Sequence, residues 1–183
     1  MSSENRTNIP NSLNEHWMPF TSNKDFKERP RLITEAKGVY LKNHEGNTQI
    51  DASSGLFCNP LGHGRMEIID AITNQLKTLD YAQPFQQGFG GSFELATRIS
   101  KHTPADLNKM FYTICGSTAV ETAIKIAVAY HRAKGNAHRF RFVGRERGYH
   151  GMNIGCVSVG GMINNVKTFA SILMPGVQHM RHT

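Results

Sequence analysis

Between Lys109 and Val159 the sequence alternates in a way that few folds accept. Lys109 to Ile114 (KMFYTI) is a short, mostly apolar run with aromatic content, and it reads as a buried strand. A turn of small residues follows at Gly116-Ser117. It opens a helix from about Thr118 to Lys134, with Val120, Ala123, Ile124, Ala127 and Val128 as its inner stripe. Gly135-Asn136 ends that helix. Residues 139–143 read as the next strand, and residues 154–159 (IGCVSV) as a further one before Gly160-Gly161. Only loop-like sequence then runs to Thr183. Strand, helix and strand in this order argue for α/β architecture with a mainly parallel sheet and flanking helices, here unfinished.

Upstream, residues 66–79 read as an amphipathic helix, with Ile68, Ile69, Ile72, Leu76 and Leu79 at helical spacing. Tyr81 to Gly91 lacks any period and reads as a loop. A second helix carries Phe93, Leu95, Ala96 and Ile99 and stops before Pro104. Residues 32–53 resemble a small antiparallel meander. Val39-Tyr40-Leu41 is one strand, His44 to Asn47 the turn, and Gln49-Ile50-Asp51 the return. Pro60, Gly62 and Gly64 then break the chain, which places a boundary near residue 58. Residues 1–15 read as a flexible polar tail. The abrupt cluster Trp17-Met18-Pro19-Phe20 is expected to dock and anchor the N-terminal segment.

A chain of 183 residues allows one domain, or one domain and part of another. Its 39% hydrophobic content is enough for a core and argues against disorder throughout. The formal net charge of +7 fits nucleic acid, an anionic substrate or no specific partner. Arginines cluster only at Arg139, Arg141, Arg145 and Arg147, where they alternate with aromatics. That pattern suits either nucleic-acid contact or a strand with one exposed face. The second is favoured, because no recognised nucleic-acid module surrounds it. Cys58, Cys115 and Cys156 are far apart and odd in number, which argues for reduced thiols and against a disulfide frame or a metal site. The first ten residues carry no apolar signal core, and no run is long enough to span a bilayer. A soluble, cytoplasmic protein without membrane contact is expected.

The segment Tyr112-Thr-Ile-Cys-Gly116-Ser117-Thr118 has a specific chemical use. Amides at a helix start lack intrahelical partners, and the helix dipole is positive there. Gly116 permits close approach, and Ser117 and Thr118 add hydroxyls. Such a turn can hold a phosphate, although alone it is more often a plain helix cap. It is neither a Walker A loop nor a G-x-G-x-x-G fingerprint, so nucleoside triphosphates are disfavoured. Gly148-Tyr149-His150-Gly151 follows the basic strand. Strand ends of a parallel sheet collect on one side, which would bring Tyr149 near Gly116-Ser117. An aromatic face there can lie on a planar ring, whereas an isolated tyrosine or histidine is more often structural.

With these segments placed, residues 16–183 resemble the class III, fold-type I aminotransferases that use pyridoxal 5'-phosphate, in particular the ω-amino acid:pyruvate (β-alanine:pyruvate) group. The segments that carry the resemblance are Trp17-Met-Pro-Phe20-Thr, Gly38-Val-Tyr-Leu, Gly46-Asn-Thr-Gln-Ile-Asp51, Ser54-Gly-Leu-Phe57-Cys58 and Leu61-Gly-His-Gly64. The Gly116-Ser117 turn and Gly144-Arg-Glu-Arg-Gly-Tyr149-His-Gly151 complete the ordered set. The resemblance implies that Gly116 and Ser117 hold the cofactor phosphate and that Tyr149 stacks on its ring. It implies that Phe20 and Phe57 line the amine pocket, and that Phe85 and its loop approach the partner's site in a homodimer. It assigns 1–15 to a tail, 16–58 to the small domain and 59–183 to the first part of the large cofactor-binding domain. The implied reaction is amino transfer from an ω-amino acid or amine to pyruvate.

Some residues depart from the family pattern. Phe57 stands where relatives commonly carry Trp, which would widen the pocket. Cys115 and Thr118 replace the Ser and Glu of the usual turn, so a carboxylate is missing from the helix start. Family members continue well past this length, and there they supply the Asp that pairs with the pyridine nitrogen and the Lys that forms the Schiff base. Here no Asp follows Asp106, and the only Lys after Lys134 is Lys167, outside any matching motif. The chain thus resembles the N-terminal portion of such an enzyme and is expected to hold no catalytic residue of its own. The contrasting expectation is a noncatalytic binding protein built on the same scaffold.

Overall fold

The computed structural model describes residues 12–182. They fall into two compact units that divide between Phe89 and Gly90, so the boundary expected near residue 58 lies inside the first unit. Residues 1–11 of the expected tail are outside the described residues. Of the remainder, Asn14 accepts a hydrogen bond from Lys27 Nζ at 2.8 Å.

The first unit opens with helix α1 (Asn23–Glu28), which the sequence reading did not anticipate. It buries Phe26, with the Arg31 guanidinium 5.5 Å from the ring centroid. The Trp17–Phe20 cluster does not dock: Trp17 is 84% exposed, and only Met18 is half-buried. The polar Asn23 side chain holds this segment instead, bonding the Met18 amide and carbonyl at 2.9 Å each.

The meander has three antiparallel strands, β1 (Ile33–Lys37), β2 (Tyr40–Asn43) and β3 (Thr48–Ile50), in that spatial order. Gly38, at φ +58°, turns β1 into β2. Helix α2 (Met66–Thr78) lies where the periodicity placed it, but its apolar stripe is uncovered, and none of its residues is buried.

In the second unit, α3 (Gly90–Ser100) and α4 (Gly116–Ala133) match the two expected helices. The end of α4 is a Schellman motif. Gly135, at φ +76°, donates its amide to Arg132 O, and Asn136 donates to His131 O.

The strand expected over Lys109–Ile114 is not formed. That segment has no regular structure and no ladder partner among the described residues, and Ile114 is 94% exposed. Strand composition becomes a strand only when a neighbouring backbone pairs with it.

The strand expected at 139–143 is β4 (Phe142–Arg145), three residues later at its start. The segment 154–159 is helix α5 (Ile154–Val159), not a strand. A six-residue apolar run carries no decisive period. Ser158 Oγ donates to Ile154 O at 2.6 Å within that helical turn. Small residues let α5 lie close to α4: a Cβ on Gly155 would meet Glu121 Oε2 at 2.6 Å. The stretch expected to be loop after Gly161 holds α6 (Ile163–Thr168) and β5 (Val177–Met180). β5 pairs in parallel with β4, from Phe142↔Val177 to Arg145↔Met180. The parallel element is therefore this strand pair, with α5 packed on β4, β5, α4 and α6.

Burial is thin for a chain of this length. Phe26, Cys156 and Val157 are the buried hydrophobic residues among those described. Large uncovered apolar faces favour association. The isolated chain is accordingly expected to bind an exposed-hydrophobe dye and to melt without a sharp transition. A cooperative melt of a dye-negative monomer would contradict this.

Candidate functional site

The start of α4 supplies the first half of the site. Its amides at Gly116, Ser117 and Thr118 precede the first helical acceptor, which serves Ala119 N through Cys115 O at 3.0 Å. No side chain caps this end, so the capping reading of Ser117 and Thr118 does not hold. The neighbouring thiol registers the donors: Cys115 is held below the usual thiol pKa, first by the Thr118 hydroxyl, then by the Thr118 amide, with burial opposing and the Ser117 amide adding to the effect. The local field favours negative charge, as a helix start does.

The loop after β4 supplies the second half. It is stitched down through its backbone. Glu146 N donates to Met180 O at 2.9 Å, Arg147 N to Gly161 O at 2.9 Å, and Gly161 N to Gly148 O at 2.8 Å. Arg147 is held at φ +65° in this turn.

The halves meet at Gly151 and Ser117. Ser117 Oγ accepts the Met152 amide at 3.0 Å, which leaves its own proton free to donate elsewhere. Gly151 has φ +119°, and a Cβ there would stand 2.8 Å from Ser117 Cα. Only glycine meets both demands, the backbone conformation and the close approach. Behind Ser117, buried Cys156 donates its thiol to Ser117 O at 3.1 Å. Burial first, and then the Glu121 charge, push the Cys156 thiol above its usual pKa, so it stays a neutral donor.

Gly116, Ser117 and Tyr149 thus line one cleft of about 450 Å³, together with Cys115, His150 and Gly151. This is within the size range of small-molecule sites, roughly 300–1,000 Å³. Nothing stands within 4 Å of a Cβ built on Gly116, so the approach to the α4 amides is open. The cleft has anion-favouring amides at one end, a hydroxyl with a free proton and an aromatic ring at 57% exposure. A phosphorylated planar molecule fits that donor set.

Phe20, Phe57 and Phe85 belong to the first unit, and all three are exposed. Their backbone settings are unusual. Phe20 has φ +48°, Phe57 has φ +69°, and Gln86, next to Phe85, has φ +61°. Around Phe57, four successive residues, Ser54, Gly55, Leu56 and Phe57, lie at φ between +51° and +69°. Each non-glycine residue in such a turn costs roughly 1–2 kcal/mol. The sequence reading assigned no role to Gly151, Cys156 or Glu121. For Gly151 a signal was present, a glycine directly after an aromatic pair in a motif. For Cys156 and Glu121 there was none, because their contacts join residues 35 or more apart.

Comparison with known proteins agrees on one group. The family described as Aminotransferase class-III matches residues 21–183. An omega-aminotransferase of Caulobacter vibrioides is 45% identical over 173 residues, covering 94% of this chain and 39% of its own length. An omega-amino acid–pyruvate aminotransferase of Pseudomonas putida is 45% identical over 171 residues, covering 93% of this chain and 38% of its own. The crystal structure of an omega transaminase from Pseudomonas jessenii, in complex with PMP, superposes with a TM-score of 0.87 at 29% identity, over 93% of this chain and 39% of that one. The chain spans about two-fifths of the length of the curated relatives it matches.

Proposed function

This chain belongs to the class-III aminotransferases, and on that premise we propose that it forms the phosphate end and the ring-facing side of a pyridoxal 5'-phosphate site. The whole protein would transfer an amino group from an ω-amino acid or amine to pyruvate. The observation that carries the reading is the joining of Ser117 to the Tyr149 loop through Met152 N and Gly151 at a helix start that favours negative charge.

Each residue has a task that follows from its placement. The amides at the start of α4 take the phosphate oxygens. Ser117, which accepts the Met152 N–H, keeps its hydroxyl proton for the same phosphate. Tyr149 offers a ring face from the end of a parallel strand. Phe20 and Phe57 would form apolar walls for the amine, and Phe85 and its loop would approach the partner's site in a homodimer. Backbone strain concentrated beside these residues supports the reading, since such strain gathers at ligand sites. When bound, the cofactor supplies the electron sink of the reaction, and the protein supplies position and field. We place the protein in the cytoplasm, in keeping with its free thiols.

Titrating the chain with pyridoxal 5'-phosphate tests this. The cofactor's absorbance is expected to change saturably, and inorganic phosphate is expected to compete. Tyr149→Ala removes a ring pair worth about 0.5–1.5 kcal/mol, or roughly two- to tenfold in affinity. Ser117→Ala removes both the free donor and the acceptor of Met152 N–H, so it should weaken binding further. Unsaturable uptake that neither substitution alters would overturn the proposal.

A further inference from the structure

The turn that presents Leu56 and Phe57 should not hold its shape by packing. Both side chains are exposed, Phe57 at 84% and Leu56 at 74%, so no burial compensates for the left-handed backbone of Ser54–Phe57. What surrounds the turn instead is a polar clasp. Asp51 Oδ1 accepts from the Ser53 amide at 3.2 Å and the Ser53 hydroxyl at 3.0 Å. Asp51 Oδ2 accepts from the Gly55 amide at 2.8 Å and stands 3.0 Å from His63 Nε2. On the other ring edge, His63 Nδ1 meets Asn59 Nδ2 at 2.8 Å. The carboxylate is nearly buried, at 7% side-chain exposure. Its pKa is held below the usual range, first by the His63 hydrogen bond, with burial opposing and the Ser53 and Gly55 donors adding.

The clasp is fastened to a rigid base. Asp51 N donates to Val39 O at 2.8 Å. His63 and Gly38 exchange both backbone bonds, at 2.8 and 2.9 Å. Gly62 runs so close to that hairpin tip that a Cβ on it would meet Gly38 O at 3.1 Å. Both arms of the clasp therefore start from the β1–β2 turn, and the turn between them closes on itself through Phe57 N to Ser53 O and Asn59 N to Ser54 O, each 2.9 Å.

We infer that Asp51 and His63 are positioning residues: their hydrogen-bonded clasp holds the left-handed turn Ser54–Phe57 and so sets where the Phe57 wall of the amine pocket stands. The inference rests on the proposed function only for what Phe57 faces. The clasp itself is independent of cofactor and substrate.

The test is nuclear magnetic resonance on the full chain, without cofactor. A residue at positive φ gives a strong amide-to-Hα cross-peak within itself, and this is expected at residues 54, 56 and 57. Asp51→Asn should remove it. Whichever way the new amide turns, its NH2 group faces two donors, either Ser53 N–H and O–H or Gly55 N–H and His63. His63→Leu, which lacks a donor, should remove it as well. His63→Gln keeps a donor near the Nε2 position and should restore it. The cross-strand peaks of Ala36↔Leu41 and Lys37↔Tyr40 serve as the internal control and should persist throughout. Unchanged peaks in Asp51→Asn and His63→Leu would mean that the turn supports itself. Loss of the meander peaks along with them would make these residues folding determinants. Either result overturns the inference. Because no cofactor is present, failure of the pyridoxal phosphate titration would not decide it, nor would its failure decide the titration.

Discussion

Incubated with pyridoxal 5'-phosphate, β-alanine and pyruvate, the 183-residue chain is expected to show no turnover above that of the free cofactor. Phosphate and ring contacts position a cofactor, but they do not replace a lysine that bonds to its aldehyde and moves the proton. No lysine lines the cleft around Ser117 and Tyr149. Lys167, the last lysine of the chain, is exposed on α6 and lines neither cavity that Tyr149 borders. Borohydride reduction in the presence of cofactor should therefore spread label thinly over exposed lysines. The contrary result would be one lysine modified selectively, with activity lost when that lysine is replaced.

The second large effect concerns stability. Gly144→Ala should disrupt the second unit around the β4–α5 contact. A Cβ on Gly144 would overlap the carbonyl oxygen of Val159 and stand 3.0 Å from His179 Cδ2. The Val159 carbonyl is backbone at the end of α5, so it cannot rotate aside as a flexible side chain would. His179 is also constrained, with Nε2 bound to Gly160 O at 2.7 Å. Overpacking of this kind costs typically 1–3 kcal/mol, and the upper end applies where backbone must move. At about 3 kcal/mol, amides that exchange through unfolding of this unit should do so at least 100-fold faster. The amides to follow are Val157, bonded to Asn153 O, and Gly160, bonded to Cys156 O. Unchanged protection of these amides would show that β4 and α5 can separate without loss.

The two effects separate what the second unit does. Gly144 sits in the contact between β4 and the end of α5, and it does not line the cleft itself. The acid response of the first unit is distinct again. Asp51 has a lowered pKa in the folded chain, so its contribution is present above the ordinary aspartate value of about 3.9 and is lost as pH falls through the lowered one.

Where a signal is local, the sequence determined the structure. Helices α2 and α4 follow from apolar residues repeating at helical spacing, and the end of α4 follows from Gly135-Asn136. The meander follows from short strand runs around Gly46, which takes φ +89° in its turn. The turn at Gly116-Ser117 and the aromatic at Tyr149 were legible as types of residue at types of place. That they share a cleft depended on the strand-end geometry of a parallel sheet. Tertiary structure alone decided the rest. Segment 109–114 has a strand's composition and no ladder partner among the described residues, while 177–180 has little strand signal and pairs fully with β4. Pairing is a contact between distant residues, so no window of sequence contains it. The six residues 154–159 fit either a strand or a helix, and the close approach of α4 selected the helix, in which Gly155 and Cys156 face Glu121 and Ser117. The Asp51–His63 clasp joins residues twelve positions apart, and between them Ser54, Leu56 and Phe57 take a left-handed backbone that their own propensities disfavour. Its conformation is fixed by where the carboxylate and imidazole meet, which only the folded hairpin beneath them sets.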